Sequence, residues 1–167
     1  MNILVTVASK HGATGEIGEI LAEVLRDAGL AAEIRQPQDV ASLDGYDAVV
    51  LGSAIYAGRW LQPARAFADR HAAVLATRPV WLFSSGPLGD PPNPPGEPSE
   101  PIAVATSLAA RGHRSFAGRL DRQRLGLLER TLTRAVHAPD GDFRDWEAVR
   151  SWADEIAAEL TIEEVVT

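Results

Sequence analysis

With 167 residues, 46% of them hydrophobic, the chain fits one domain over 1–167 with an ordinary core. The absence of Cys excludes disulfides, thiolate metal sites and a thiol nucleophile. A net charge of −7 argues against general nucleic-acid binding, and no apolar run approaches the roughly 20 residues of a membrane span. The chain begins as a strand with no basic leader, so no signal peptide and a cytoplasmic location are expected.

Asn2–Ala8 is an apolar run rich in β-branched residues and reads as a strand. It enters a small-residue turn, Ser9–Gly15, after which Ile17, Ile20, Leu21, Val24, Leu25 and Ala28 recur at helical spacing. A helix over Glu16–Ala28 follows, with Thr14 as a candidate cap and Gly29 at its C′ position. Ala31–Arg35 is a second strand. Asp47–Ser53, almost continuously apolar, suits a central strand buried on both faces. Pro63 opens a helix whose inner face is Ala64, Phe67, Ala68, His71, Val74 and Leu75. Val80–Ser85 is the fourth strand.

Gly86 to Pro101 holds seven prolines in sixteen residues and reads as a proline-rich loop, neither helix nor central strand. A short helix over Ile102–Ala110 and a fifth strand over His113–Gly118 come next. Leu125, Leu128, Leu132, Ala135 and Val136 line one further helix. Trp146, Val149, Trp152, Ala153, Ile156 and Leu160 line the last, which begins near Asp145, and the segment leading into it, Asp142-Phe-Arg-Asp-Trp, supplies acids for its positive end. Strand and helix alternate, the pattern of a parallel sheet covered on both sides. Charge is uneven: seven arginines between Arg111 and Arg134 leave that stretch at +5 and the rest at −12. It reads as a solvated arginine-rich face, or one suited to an acidic partner, an anionic lipid surface or a carboxylate substrate.

The first turn is a candidate phosphate cradle, because a helix N-terminus presents unpaired amides and a favourable dipole. It is no P-loop, since Lys10 precedes both Gly12 and Gly15. Gly12, Gly15 and Gly18 also miss the dinucleotide spacing, and the second strand ends at Arg35 rather than an acid. A mononucleotide's terminal phosphate suits it better, with Ser9, His11 and Thr14 as side-chain donors. In a doubly wound sheet, Ser9–Gly15, Ala54–Trp60 and Ser85–Asp90 converge on one edge. A phosphate site beside an apolar slot suits flavin mononucleotide (FMN). Tyr56 or Trp60 would stack on the ring, the Ala57 and Gly58 amides would reach its edge, and Arg59 and Trp60 would wall a substrate pocket. Backbone amides of the Ser84–Gly89 loop would stabilise charge on the reduced ring. A phosphorylated receiver is excluded by Ser9 and Ser53 where acids are needed. A serine hydrolase lacks its G-x-S-x-G elbow, and His71 sits on an apolar helix face.

Four segments, Ser9-Lys-His-Gly-Ala-Thr, Gly52-Ser-Ala-Ile-Tyr-Ala-Gly, Phe116-Ala-Gly-Arg-Leu and Asp142-Phe-Arg-Asp-Trp, make the chain resemble the flavodoxin-like family along essentially its full length. The likeness is greatest to the branch that includes menaquinone-dependent protoporphyrinogen IX dehydrogenase. The resemblance implies a three-layer α/β sandwich around a five-stranded parallel sheet in the order 2-1-3-4-5. It implies FMN bound through Ser9, Lys10, His11, Gly12, Ala13 and Thr14 at the phosphate. Ser53, Ala54, Ile55, Tyr56, Ala57 and Gly58, with Ser84, Ser85, Gly86, Pro87, Leu88 and Gly89, would border the ring. The function implied is electron transfer or a small flavin-dependent dehydrogenase, with a redox partner protein or quinone-like acceptor and peripheral membrane contact in reach. A deazaflavin in place of FMN, or a fold that has lost its cofactor, are the alternatives.

Overall fold

The computed structural model describes residues 1–86, 99–120 and 141–166. In chain order these form β1 (Asn2–Ala8), α1 (Ala13–Asp27), β2 (Ala31–Arg35), β3 (Ala48–Tyr56), β4 (Arg59–Trp60), α2 (Gln62–Leu75), β5 (Val80–Ser85), α3 (Ser99–Ser107), β6 (Gly112–Phe116), β7 (Arg119–Leu120), β8 (Gly141–Asp142) and α4 (Trp146–Val166). The main sheet runs β2-β1-β3-β5-β6, all parallel, with β4 hydrogen-bonded to β3 as a sixth, antiparallel strand. Discounting β4, this is the expected order of five parallel strands.

Alternation along each central strand divides the core. Ile3, Val5 and Val7 of β1 meet Ile17, Leu21 and Leu25 of α1, together with Val149, Trp152 and Ile156 of α4. Leu4 and Ala8 face the other way, toward Ala64, Phe67 and Leu75 of α2 and Leu108 beyond α3. Two helical layers thus enclose a sheet buried on both faces, which is why β3 and β5 read as unbroken apolar runs. Each such fully buried aliphatic or Phe side chain contributes about 1.5–3 kcal/mol by its removal from water. Gly29, at φ 86, closes α1: its amide reaches the Arg26 carbonyl at 2.9 Å and that of Leu30 reaches Leu25 at 3.1 Å.

Several boundaries differ from the sequence reading. Helix α1 starts at Ala13 rather than Glu16, because its N-cap is Gly12 in the left-handed region and not Thr14. Val74 is exposed at 38%, outside the buried stripe of α2. Strand β3 runs on to Tyr56 instead of stopping at Ser53. Helix α3 begins at Ser99, so Pro101 lies in its first turn, where a missing amide costs nothing. Strand β6 ends at Phe116, and the β7–β8 ribbon was not expected at all. The helix expected over Leu125–Val136 and most of the proline-rich loop lie outside the described residues.

Candidate functional site

The parallel register aligns Ala8 with Ser53, Ser53 with Ser84, and Ser84 with Ser115, so β1, β3 and β5 end side by side. At the end of β1 the chain turns sharply: the Ser9 hydroxyl accepts the Gly12 amide at 3.1 Å, and Gly12 takes φ 87. The first helical bond of α1 runs from the Glu16 amide to the Gly12 carbonyl, 3.0 Å. The amides of Ala13, Thr14 and Gly15 therefore have no acceptor within the helix, and they point out of its positive end. Thr14 is 3% exposed, tucked inside the first turn. Gly18 has a separate, structural reason to be glycine: a Cβ there would lie 2.5 Å from Val7 Cγ2, so α1 approaches β1 too closely for any side chain.

The next segment is a hairpin rather than a loop. Ile55 pairs with Trp60 and Tyr56 with Arg59, leaving Ala57 and Gly58 as a two-residue turn with φ 49 and φ 76. Two successive positive φ values are those of a type I′ turn. Buried and part-buried hydrogen bonds anchor its base. The Trp60 indole donates to Ser84 Oγ at 2.9 Å, and the Trp60 amide donates to Glu100 Oε2 at 2.7 Å. Ser53 Oγ accepts the Leu61 amide and donates to the Ala54 carbonyl, both at 2.9 Å. Trp60 is 2% exposed, so it neither stacks on a ligand at the surface nor walls a pocket; its side chain is a core plug beneath the hairpin. The hydroxyls of Ser53 and Ser84, both fully buried, hold the scaffold.

Tyr56, 37% exposed, is the aromatic that the hairpin presents outward. Its ring lies 6.5 Å from that of His11, and Lys10 Nζ sits 5.6 Å above it, so the first two expected segments meet. Ile55 meets the third, since a Cβ on Gly86 would stand 3.5 Å from Ile55 Cβ. Ala54 and Ser85 are paired, largely buried strand residues. The Gly86 amide donates to the Phe116 carbonyl at 2.9 Å, so it is not the outward donor expected of it. Pro87, Leu88 and Gly89 lie outside the described residues.

An ion cluster that pattern reading missed supports the first turn of α1. Arg144 donates to both Asp142 carboxylate oxygens (2.8 and 2.6 Å), to Glu16 Oε2 (2.7 Å) and to the Ala13 carbonyl (3.0 Å). Its guanidinium also lies 4.4 Å from the Trp146 ring centroid, and Arg119 reaches the other Glu16 oxygen at 3.2 Å. The Arg144 hydrogen bond holds the Asp142 carboxyl below its ordinary pKa, and the same contact raises that of Arg144. Of the two acids expected at the positive end of α4, Asp145 accepts the Ala148 amide at 3.0 Å, and Asp142 pairs with Arg144 instead. The only sequence sign was the Asp142-Phe-Arg-Asp-Trp segment, which does not reveal a partner 128 residues away.

A family model described as a flavodoxin domain matches residues 4–146. The chain belongs to the flavodoxin-domain family. Protoporphyrinogen IX dehydrogenase [quinone] of Escherichia coli (strain K12) is 23% identical, over 94% of this chain and 95% of the enzyme. Among solved structures, a flavodoxin from the domain Archaea superposes with a TM-score of 0.65 at 15% identity, covering 96% of this chain and 99% of its own. Oxidised flavodoxin 1 from Bacillus cereus gives 0.62 at 16% identity, covering 93% and 96%. At such identities the structures establish the fold alone. Among the described residues of this flavodoxin domain, no helix is long and apolar enough to cross a membrane.

Proposed function

We propose that this flavodoxin domain, spanning 1–167, is an FMN-binding redox protein of the cytoplasm. The observation that carries the reading is the turn at Gly12–Gly15: three helix-end amides beside an exposed Tyr56, at the carboxyl edge of a sheet in a flavodoxin-domain chain. The donor set fits a phosphomonoester, since amides, the Ser9 and Thr14 hydroxyls and His11 supply many neutral or weakly charged donors. In this reading Ser9, Lys10, His11, Gly12, Ala13 and Thr14 hold the phosphate. Ile55, Tyr56, Ala57 and Gly58 border the ring, Gly86–Gly89 close its other side, and Ser53, Ala54, Ser84 and Ser85 support them from beneath.

When bound, the flavin supplies the redox chemistry, and the protein supplies position and electrostatics. Tyr56 offers a flat apolar face. The Ala57–Gly58 peptide, at the hairpin tip, carries its donor and acceptor on opposite sides and would offer one or the other to the ring edge by turning, which Gly58 makes less costly. The net charge of −7 opposes added negative charge and so favours a low potential. A redox protein or a quinone-like acceptor is the partner, the latter supported by the name of the E. coli relative. The test is the visible absorption spectrum of the purified protein, followed by mass analysis of whatever heat releases. A flavin spectrum with the mass of FMN is expected. A folded, colourless protein that takes up no FMN at large excess overturns the assignment.

A further inference from the structure

We propose that Arg144 and Arg119 are positioning residues for the phosphate end of the site, acting by neutralising Glu16 in the first turn of α1. The inference rests on the FMN reading above. A carboxylate in that turn suits the helix dipole of an empty helix end, but it repels a dianion brought to the same amides. Both Glu16 oxygens are occupied by cations: Oε2 by Arg144 at 2.7 Å and Oε1 by Arg119 at 3.2 Å. Glu16 itself is 40% exposed, whereas the Arg144 side chain is 2% exposed and that of Arg119 24%.

A buried guanidinium is costly to hold unless its donors are satisfied, and Arg144 meets this with four hydrogen bonds. Through one of them it donates to the Ala13 carbonyl, on the residue whose amide would face the phosphate. Asp142 aligns the fork from the far side, while pairing of Arg119 with Asp142 in the β7–β8 ribbon brings the second arginine to the same carboxylate. Segments 119 and 141–146 thus bring two guanidiniums against the carboxylates of Glu16 and Asp142, so that Glu16 adds no net negative charge beside the cradle. The Arg144 hydrogen bonds go to carboxylates and to the Ala13 carbonyl, and none of them takes up a cradle amide.

The test compares the affinities of FMN and riboflavin, which differ only in the phosphate, by flavin fluorescence titration. In the unsubstituted protein FMN binds more tightly than riboflavin. Arg144→Gln lowers the FMN-to-riboflavin affinity ratio by about tenfold and Arg119→Gln by about threefold, because each unmasks Glu16. Adding Glu16→Gln to either variant restores the ratio to within about twofold. A purely structural role would weaken both flavins together; an unchanged ratio, or one that Glu16→Gln fails to restore, overturns the inference. If Arg144→Gln does not fold, the Arg119→Gln and Arg119→Gln/Glu16→Gln pair decides alone. Equal or absent binding of both flavins by the unsubstituted protein instead overturns the FMN reading, and this inference with it.

Discussion

A Cβ built on Gly52 would overlap the Phe83 ring on the neighbouring strand. That ring cannot swing away cheaply, since Phe116 and Trp152 flank it with centroids 6.1 and 6.2 Å off. Gly52→Ala is therefore expected to cost about 1–3 kcal/mol by overpacking, read as a lower urea midpoint at an unchanged slope. His71 tests a different force. Its ring lies tilted against Phe67, centroids 4.8 Å apart, and its Nε2 accepts from Arg70 at 3.1 Å, while burial holds its pKa below the ordinary value. The unfolded chain then takes up the proton first. The stability owed to neutral His71 is complete above about pH 6.5 and is lost as the pH falls through the folded-state value. Urea midpoints should decline on acidification below that point, and His71→Leu should flatten this part of the profile; an equal slope in the variant would contradict it. His71 was readable from the sequence because helical spacing put it among apolar neighbours. The role of Gly52 was not, since its contact lies across strands.

At the scale of elements, the hairpin that carries Tyr56 has the weakest signature in the sequence. Its turn is Ala57-Gly58, without the Asn or Asp that usually announces a type I′ turn. Ala57 nonetheless takes φ 49, a conformation that costs an L-residue about 1–2 kcal/mol. The base holds it there, with Trp60 bound to Ser84 and Glu100 and Leu61 bound to Ser53. Ala57→Asn should therefore raise stability by about 0.5 kcal/mol, measured by thermal or urea unfolding, since Asn tolerates the left-handed region better. A loss of stability would mean that the turn is not held as described. The start of α1 was hidden for a related reason: its cap is a backbone conformation at Gly12, not a side chain. The two-residue strands β7 and β8 are too short for alternation to register.

For the whole molecule, a parallel sheet covered on both sides was legible because β1, β3 and β5 are apolar on both faces and helices alternate with them, whereas the strand order came with the resemblance to the flavodoxin-like family. The convergence of the first turn and the Tyr56 segment followed from that topology alone. The tie between Arg144 and Ala13, 131 residues apart, did not, because no periodic pattern encodes a side-chain hydrogen bond across such a distance. In the proposed function one FMN molecule spans both places, phosphate at the Gly12–Gly15 amides and ring at the hairpin. Amide chemical shifts of isotope-labelled protein test it most directly. Addition of FMN should move the resonances of Gly12, Ala13, Thr14 and Gly15 together with those of Ala57 and Gly58, whereas riboflavin should move the hairpin pair and leave the turn nearly still. Shifts confined to other edges of the sheet, or a turn that responds equally to both flavins, would contradict the account.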